Sequence, residues 1–177
     1  MPVEEQVILV DEKDQKIGLM NKQEAHEKAL LHRAFSIFVF NANGDLLIQQ
    51  RAHSKYHSGG EWANTCCSHQ RDGETTLEAG QRRLEEEMGF VVPLKEVFSF
   101  TYKKAFGNGL TEHEFDHVLF GEFEGKPVMN PEEVADWKYI SLADLNTQIK
   151  ANPEQYTIWL QIALVEVELH LGTKNES

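Results

Sequence analysis

The sequence predicts an α+β domain, a mixed β-sheet packed between helices. Three observations predict it. Several short segments alternate in the manner of strands and are separated by turn signals. Helical periodicity is confined to three longer stretches. Strands and helices follow one another without a regular βαβ alternation, which disfavours a doubly wound architecture. The 177 residues fit one compact domain over positions 1–177. Residues 172–177 read as a flexible tail.

The elements follow in order. Gln6–Val10 and Lys16–Met20 read as short strands around the turn Asp11–Gln15. Phe35–Phe40 and Leu46–Gln50 flank Asn41-Ala42-Asn43-Gly44, a hairpin signal. Glu74–Met88 reads as an amphipathic helix with Leu77, Leu84 and Met88 on one stripe, and Gly89 stops it. Val97–Lys103 and Glu112–Glu122 read as strands around a turn near Gly107-Asn108-Gly109. Trp137–Ile140 is a further strand. Ser141 suits the N-cap of a helix through about Lys150, and Pro153 opens a last helix through about Leu171.

Hydrophobic residues make up 41% of the chain and charged residues 26%, ordinary values for a globular protein. The formal net charge of −12 disfavours nucleic acid and anionic membranes as partners. A small anionic substrate would need a local cationic site or a metal. No apolar run is long enough to span a bilayer. The acidic start, Met1–Val10, lacks the pattern of a secretory signal, so a cytoplasmic protein is expected. Cys66 and Cys67 are adjacent, which disfavours a disulfide between them and fits free thiols. On an extended segment they point to opposite faces, so one can be packed while the other lines a pocket.

Four constellations could carry chemistry. Arg83 and Glu87 lie four residues apart on the helix beside its apolar stripe, where the plain reading is a surface ion pair. In Trp62-Ala63-Asn64-Thr65-Cys66-Cys67-Ser68-His69, a thiol stands two residues from an imidazole. Glu112 and Glu114 share one face of a strand, an unfavourable pairing unless a cation or a proton neutralises it. His26 and His32, with His69, Glu112 and Glu114, make a mixture of imidazoles and carboxylates that suits Zn²⁺ or Mn²⁺. Taken singly, each has an ordinary structural reading: a charged strand edge, a buried small thiol, a surface histidine.

The spacing around the helix resembles the Nudix box, in which helix glutamates hold divalent metal against a diphosphate. Glu74, Arg82, Leu84, Glu86, Glu87 and Gly89 fall in register. Ser68 replaces the opening glycine and Arg83 the first helix glutamate, changes that suit gripping a diphosphate better than cleaving it. The segments Leu30–Ser36, Asn64–His69 and Glu112–Glu114 further resemble the signatures of the type 1 isopentenyl-diphosphate isomerases, in the family's order. The resemblance runs from about Val7 to about Glu168. The chain departs at Gln70, where many members have proline, and at Tyr156-Thr157-Ile158-Trp159, where many have a proline before the tryptophan.

The resemblance implies a Nudix-like fold and a function: interconversion of isopentenyl and dimethylallyl diphosphate. It implies Cys67 as the catalytic thiol, matched by its distance to His69, and Glu114 as the carboxyl partner, with Tyr102 among the catalytic groups. His26, His32, His69, Glu112 and Glu114 would hold one divalent ion, Mn²⁺ or Zn²⁺, and Glu87 would help hold a Mg²⁺ that also touches the diphosphate. Lys22, Arg51, Lys55 and Arg83 match the diphosphate-binding cations, and Trp159 an aromatic wall. The partner is then the small-molecule substrate alone, bound by a monomer or homodimer. The competing readings are a Nudix-type diphosphate hydrolase, disfavoured by Arg83 and the Cys67/His69 pair, and a non-catalytic metal-binding module.

Overall fold

The computed structural model describes residues 5–55 and 58–175. Its centre is β3 (His32–Phe40), in which every residue but Arg33 is buried. That burial on both faces matches its nearly continuous apolar run from Phe35. Along one edge β3 takes β8 (Leu110–Glu122) in parallel, with His32 opposite Glu114 and Phe40 opposite Glu122. The other edge is shared in turn by three antiparallel strands. β1 (Gln6–Val10) pairs near His32, β6 (Cys66–Ser68) pairs from Phe35 to Ile37, and β4 (Leu46–Arg51) pairs at Val39 and Phe40. β2 (Lys16–Asn21), β5 (Trp62–Ala63), β7 (Lys95–Phe106) and β9 (Val134–Ile140) extend this sheet through β1, β4, β8 and β4 respectively.

Helices cover both faces, as expected. Phe35, Ile37 and Val39 turn toward α2 (Thr76–Met88) and pack with Leu84 and Met88. Phe38 and Phe40 turn the other way and pack with Leu160, Ala163, Leu164 and Val167 of α4 (Ile158–Asn175). The alternation along one strand therefore builds two cores. A β-carbon at Gly80 would lie 2.7 Å from Leu119 Cδ1, so its lack of a side chain lets α2 approach the sheet.

Several boundaries differ from the sequence reading. Glu74 stands before α2, which begins after a capping box between Thr75 and Glu78. Leu77 is 40% exposed rather than on the buried stripe, because Ala79 and Gly80 face the sheet in that turn. α3 (Leu142–Ala151) has Ser141 as its cap, as expected. Pro153 opens a single 3-10 turn (Pro153–Gln155), not the last helix. α4 begins after Thr157, whose hydroxyl accepts from Leu160 N at 3.4 Å, without the proline frequent at this point. It continues to Asn175, so residues 172–175 of the expected tail are helical; 176 and 177 lie outside the described residues. α1 (Lys22–Glu27) was not foreseen: it is six residues long, too short to show a period, and is fixed by the Asn21 side chain accepting from Gln23 and Glu24. No helix among the described residues is long and apolar enough to cross a membrane.

Candidate active site

The site begins with an inversion on β8. Glu112, Glu114 and Asp116 point inward and are buried, while His113, Phe115 and His117 are less covered. Three carboxylates at alternate positions thus face the interior. On β7, Tyr102 lies opposite Glu114, and its hydroxyl is within hydrogen-bonding reach of both Glu112 and Glu114. A phenol carries one hydrogen and can satisfy only one carboxylate. The close approach of the other calls for a further proton or a cation.

Three buried imidazoles converge on the same carboxylates. α1 carries His26, whose Nδ1 donates to Lys22 O at 2.7 Å. At the start of β3, His32 Nδ1 donates to Leu30 O at 3.0 Å. A carbonyl only accepts, so each Nδ1 carries a hydrogen, and each Nε2 offers a lone pair whenever its ring is neutral. His69 follows β6, and its Nε2 lies 2.8 Å from Glu114 Oε2, with His32 Nε2 at 3.3 Å. One ring nitrogen from each histidine falls within 4.8 Å of the others. Burial holds His26 down to about 4, so it is neutral at physiological pH. Burial also lowers His69, against the opposing pull of Glu114. Burial would lower His32 too, but the Glu114 carboxylate outweighs it and raises it. Burial would raise Glu114, but hydrogen bonds from His32 and His69 hold it well below the usual carboxylate range. Imidazoles that can each present a ring nitrogen, beside paired carboxylates, are a donor set that fits a divalent transition ion.

A cationic floor adjoins this cluster. Lys22, Arg51, Lys55 and Arg83 line one pocket together with Cys67, His69, Glu87, Glu112, Glu114 and Trp159. His26, His32 and Tyr102 stand behind that wall and touch it through Glu112, Glu114 and His69. Arg83 does not form a surface pair. Its guanidinium is buried enough to hold Glu87 at 2.8 Å and Glu86 at 2.6 Å at once. Gln49 Nε2 donates to the other oxygen of Glu87 at 3.1 Å. Glu74 and Arg82 of the Nudix-box register form a two-point bridge, at 2.7 and 2.9 Å, that ties the loop before α2 to the helix. Arg51 lies 5.1 Å from the centroid of the Trp159 ring.

The two thiols divide as their adjacency on a strand requires. Both are free. Cys66 is buried in the α2-side core with Sγ 3.4 Å from Glu87 Oε2. Cys67 faces the pocket, with Sγ 3.1 Å from Asn64 Oδ1 and 3.6 Å from Ser36 Oγ. Asn64 spends both amide hydrogens on Ile37 O and Cys66 O, which fixes its oxygen toward the thiol. Ser36 donates to Asp116 Oδ2 at 2.8 Å. The Cys67 thiol therefore meets acceptors. Burial and the Asp116 charge push it up, away from the thiolate.

Sequence reasoning missed the supporting shell. Asp116 continues the alternation of Glu112 and Glu114, so the period-2 pattern could have found it. Ser36 and Asn64 lie inside segments singled out for other reasons. Gln49 carries no local signal. Glu5 and Glu133, which also line the pocket, come from a chain end and a loop; only the fold brings them there. Burial would raise Glu133, but the Lys55 ammonium outweighs it and leaves it lowered. Gln70, in the place of a frequent proline, donates to Ala34 O and Thr76 Oγ1, both at 3.2 Å, so its role is structural.

Comparison with known proteins agrees with this architecture. Residues 30–160 match the NUDIX domain family. The solved structure of DR0079 from Deinococcus radiodurans superposes with a TM-score of 0.77 at 22% identity, covering 92% of this chain and 98% of that one, a likeness of fold. Isopentenyl-diphosphate Delta-isomerase 2 of Aromatoleum aromaticum is 53% identical over 93% of this chain and 87% of its own length. The isopentenyl-diphosphate Delta-isomerase of Serratia proteamaculans is 52% identical over 89% of this chain and 88% of its own length. The matching domain model spans most of the chain, and relatives named as isomerases are more than half identical along nearly all of it: the chain belongs to the isopentenyl-diphosphate Delta-isomerase family of Nudix-domain proteins.

Proposed function

We propose that the chain interconverts isopentenyl and dimethylallyl diphosphate by protonating one carbon and deprotonating another. One observation carries the reading. Cys67 on β6 and Glu114 on β8 come from opposite edges of β3 into one pocket, which also holds four cations. An unactivated alkene is a poor base, and its protonation at the terminal carbon gives a tertiary carbocation. A second group must then remove a proton from C2. Two proton-transfer groups flanking a flat substrate meet that demand.

Lys22, Arg51, Lys55 and Arg83 bind and orient the diphosphate, which also keeps this leaving group in place beside a carbocation. Trp159 offers a π-face to the positive charge, an effect of roughly 1–2 kcal/mol when desolvated. Tyr102 fixes Glu114 and is placed to exchange a proton with it. Ser36 and Asn64 aim the Cys67 thiol.

His26, His32, His69, Glu112 and Glu114 would hold one divalent ion, for which we favour Mn²⁺ or Zn²⁺ from the imidazole and carboxylate donors. Glu87 would contribute to a Mg²⁺ shared with the diphosphate. When bound, such ions would supply charge neutralisation to Glu114 and to the phosphates. Free adjacent thiols and a small charged substrate suit an enzyme of the cytoplasm.

Metal analysis followed by turnover tests the reading. Purified protein is expected to carry a divalent ion stoichiometrically and to convert isopentenyl diphosphate to dimethylallyl diphosphate when Mg²⁺ is added. Release of inorganic phosphate without isomerisation would make it a hydrolase. Metal without any product would make it a binding module.

A further inference from the structure

Lys22, Lys55 and Arg83 of the pocket already hold carboxylates. Lys22 Nζ lies 3.5 Å from Glu5 Oε2. Lys55 Nζ pairs closely with Glu133 Oε2, and Arg83 Nη2 lies 3.5 Å from the same oxygen. Glu133 is held there by backbone bonds: its carbonyl accepts from Ala52 N and its amide donates to Asn130 O, both at 3.0 Å. The first bond joins the loop carrying Lys55 to the turn before β9, and the second closes that turn. Formal charges on the described lining residues sum to four cations against five carboxylates, Glu5, Glu87, Glu112, Glu114 and Glu133. A pocket built to bind a free polyanion would carry an excess of cations.

Resting on the diphosphate reading above, we propose that Glu133 is a specificity-determining residue that makes this pocket take a diphosphate as its divalent-metal complex and reject the free anion. A free diphosphate reaching Lys55 and Arg83 must push its own negative charges against the Glu133 carboxylate or displace it. The metal complex carries two fewer negative charges. It lets Glu133 keep its place beside the bound ligand, so the repulsion becomes a neutral or favourable contact. Glu87 bears on Arg83, with Gln49 and Cys66 as its other partners. Glu133 shares Arg83 with it and holds Lys55 as well.

Calorimetric titration of the full chain with inorganic diphosphate, in Mg²⁺-free and in Mg²⁺-containing buffer, tests this. The wild type is expected to bind at least about tenfold more weakly without Mg²⁺. Glu133→Gln is expected to tighten metal-free binding by roughly tenfold while leaving the Mg²⁺ value within about threefold, so that the Mg²⁺ dependence collapses. Glu85→Gln neutralises an exposed carboxylate of α2 outside the pocket and is expected to keep the wild-type ratio. If Glu133→Gln shows the wild-type ratio, or weakens both values together, Glu133 is only a structural ion pair and the proposal falls. Should circular dichroism show that Glu133→Gln does not fold, Glu133→Asp decides: withdrawing the charge from Lys55 shifts the ratio in the same direction by a smaller factor, and an unchanged ratio overturns the proposal. Failure of the wild type to bind Mg²⁺-diphosphate at all would remove the diphosphate reading and this inference with it.

Discussion

Cys67 and Ser36 face each other across the β6–β3 ladder, with Sγ 3.6 Å from Oγ. The neighbouring thiol, Cys66, points to the opposite side and packs into the core. Cys67→Ala is therefore expected to lower kcat by roughly 10²–10⁴-fold while leaving diphosphate affinity within a few-fold. Cys66→Ala is expected to keep turnover and to cost stability on the order of 1 kcal/mol. Steady-state kinetics with thermal melts on both variants checks this. Reversed phenotypes would mean that the two thiols have exchanged roles.

Arg83 occupies a metal ligand's place in the Nudix-box pattern and here grips Glu87. Arg83→Glu is expected to raise KM by about tenfold or more, with a much smaller change in metal content at the histidine site. Kinetics paired with metal analysis separates the two effects. An unchanged KM would return Arg83 to an ordinary helix ion pair.

The histidine cluster gives the metal-stripped protein a defined pH response. An unfolded chain protonates His26 near 6.5, while the folded chain does so only at about 4. Between these values the unfolded state binds more protons. The stability linked to His26 is thus present above about pH 6.5 and is lost as the pH falls to about 4. His32 has the opposite sign: its value is raised, so its contribution is present below its unfolded pKa and is lost as the pH rises through its folded value. Melting after chelation should show Tm falling from pH 6.5 toward 4, and His26→Gln should flatten that fall. An equal slope in the variant would contradict the assignment.

Gly89 ends α2 at φ 73°, and a β-carbon there would meet Val128 O at 2.4 Å. Gly89→Ala is expected to cost at least about 1–2 kcal/mol from the left-handed backbone alone. Its consequences reach the site, because Asn130 N donates to Glu87 O next to this cap. Denaturant unfolding measures the loss. A neutral substitution would show that the cap and the Val128 backbone can both shift freely.

Much of this arrangement was legible in the residues. The alternation of Glu112 and Glu114 gave their common face, and the adjacency of Cys66 and Cys67 gave their division between core and pocket. Helical spacing gave Arg83 and Glu87 as neighbours. The resemblance to a family brought together His26, His32, His69 and the four cations, whose spacing along the chain says nothing of their convergence. Glu133 and Gln49 were not legible: each reaches the pocket through strand pairing and loop contacts far from it in sequence. α1 escaped notice because its stability comes from the Asn21 cap and burial of Ala25 and His26, not from a periodic face.

The proposed reaction is a proton exchange on an alkene flanked by Cys67 and Glu114. Proton NMR of isopentenyl diphosphate incubated with the protein in D₂O, with Mg²⁺ and trace Mn²⁺ or Zn²⁺, tests it most directly. Dimethylallyl diphosphate carrying deuterium from solvent is expected, and no such product from Cys67→Ala. An unchanged spectrum from folded, metal-loaded wild-type protein, or release of phosphate in place of isomerisation, would contradict it.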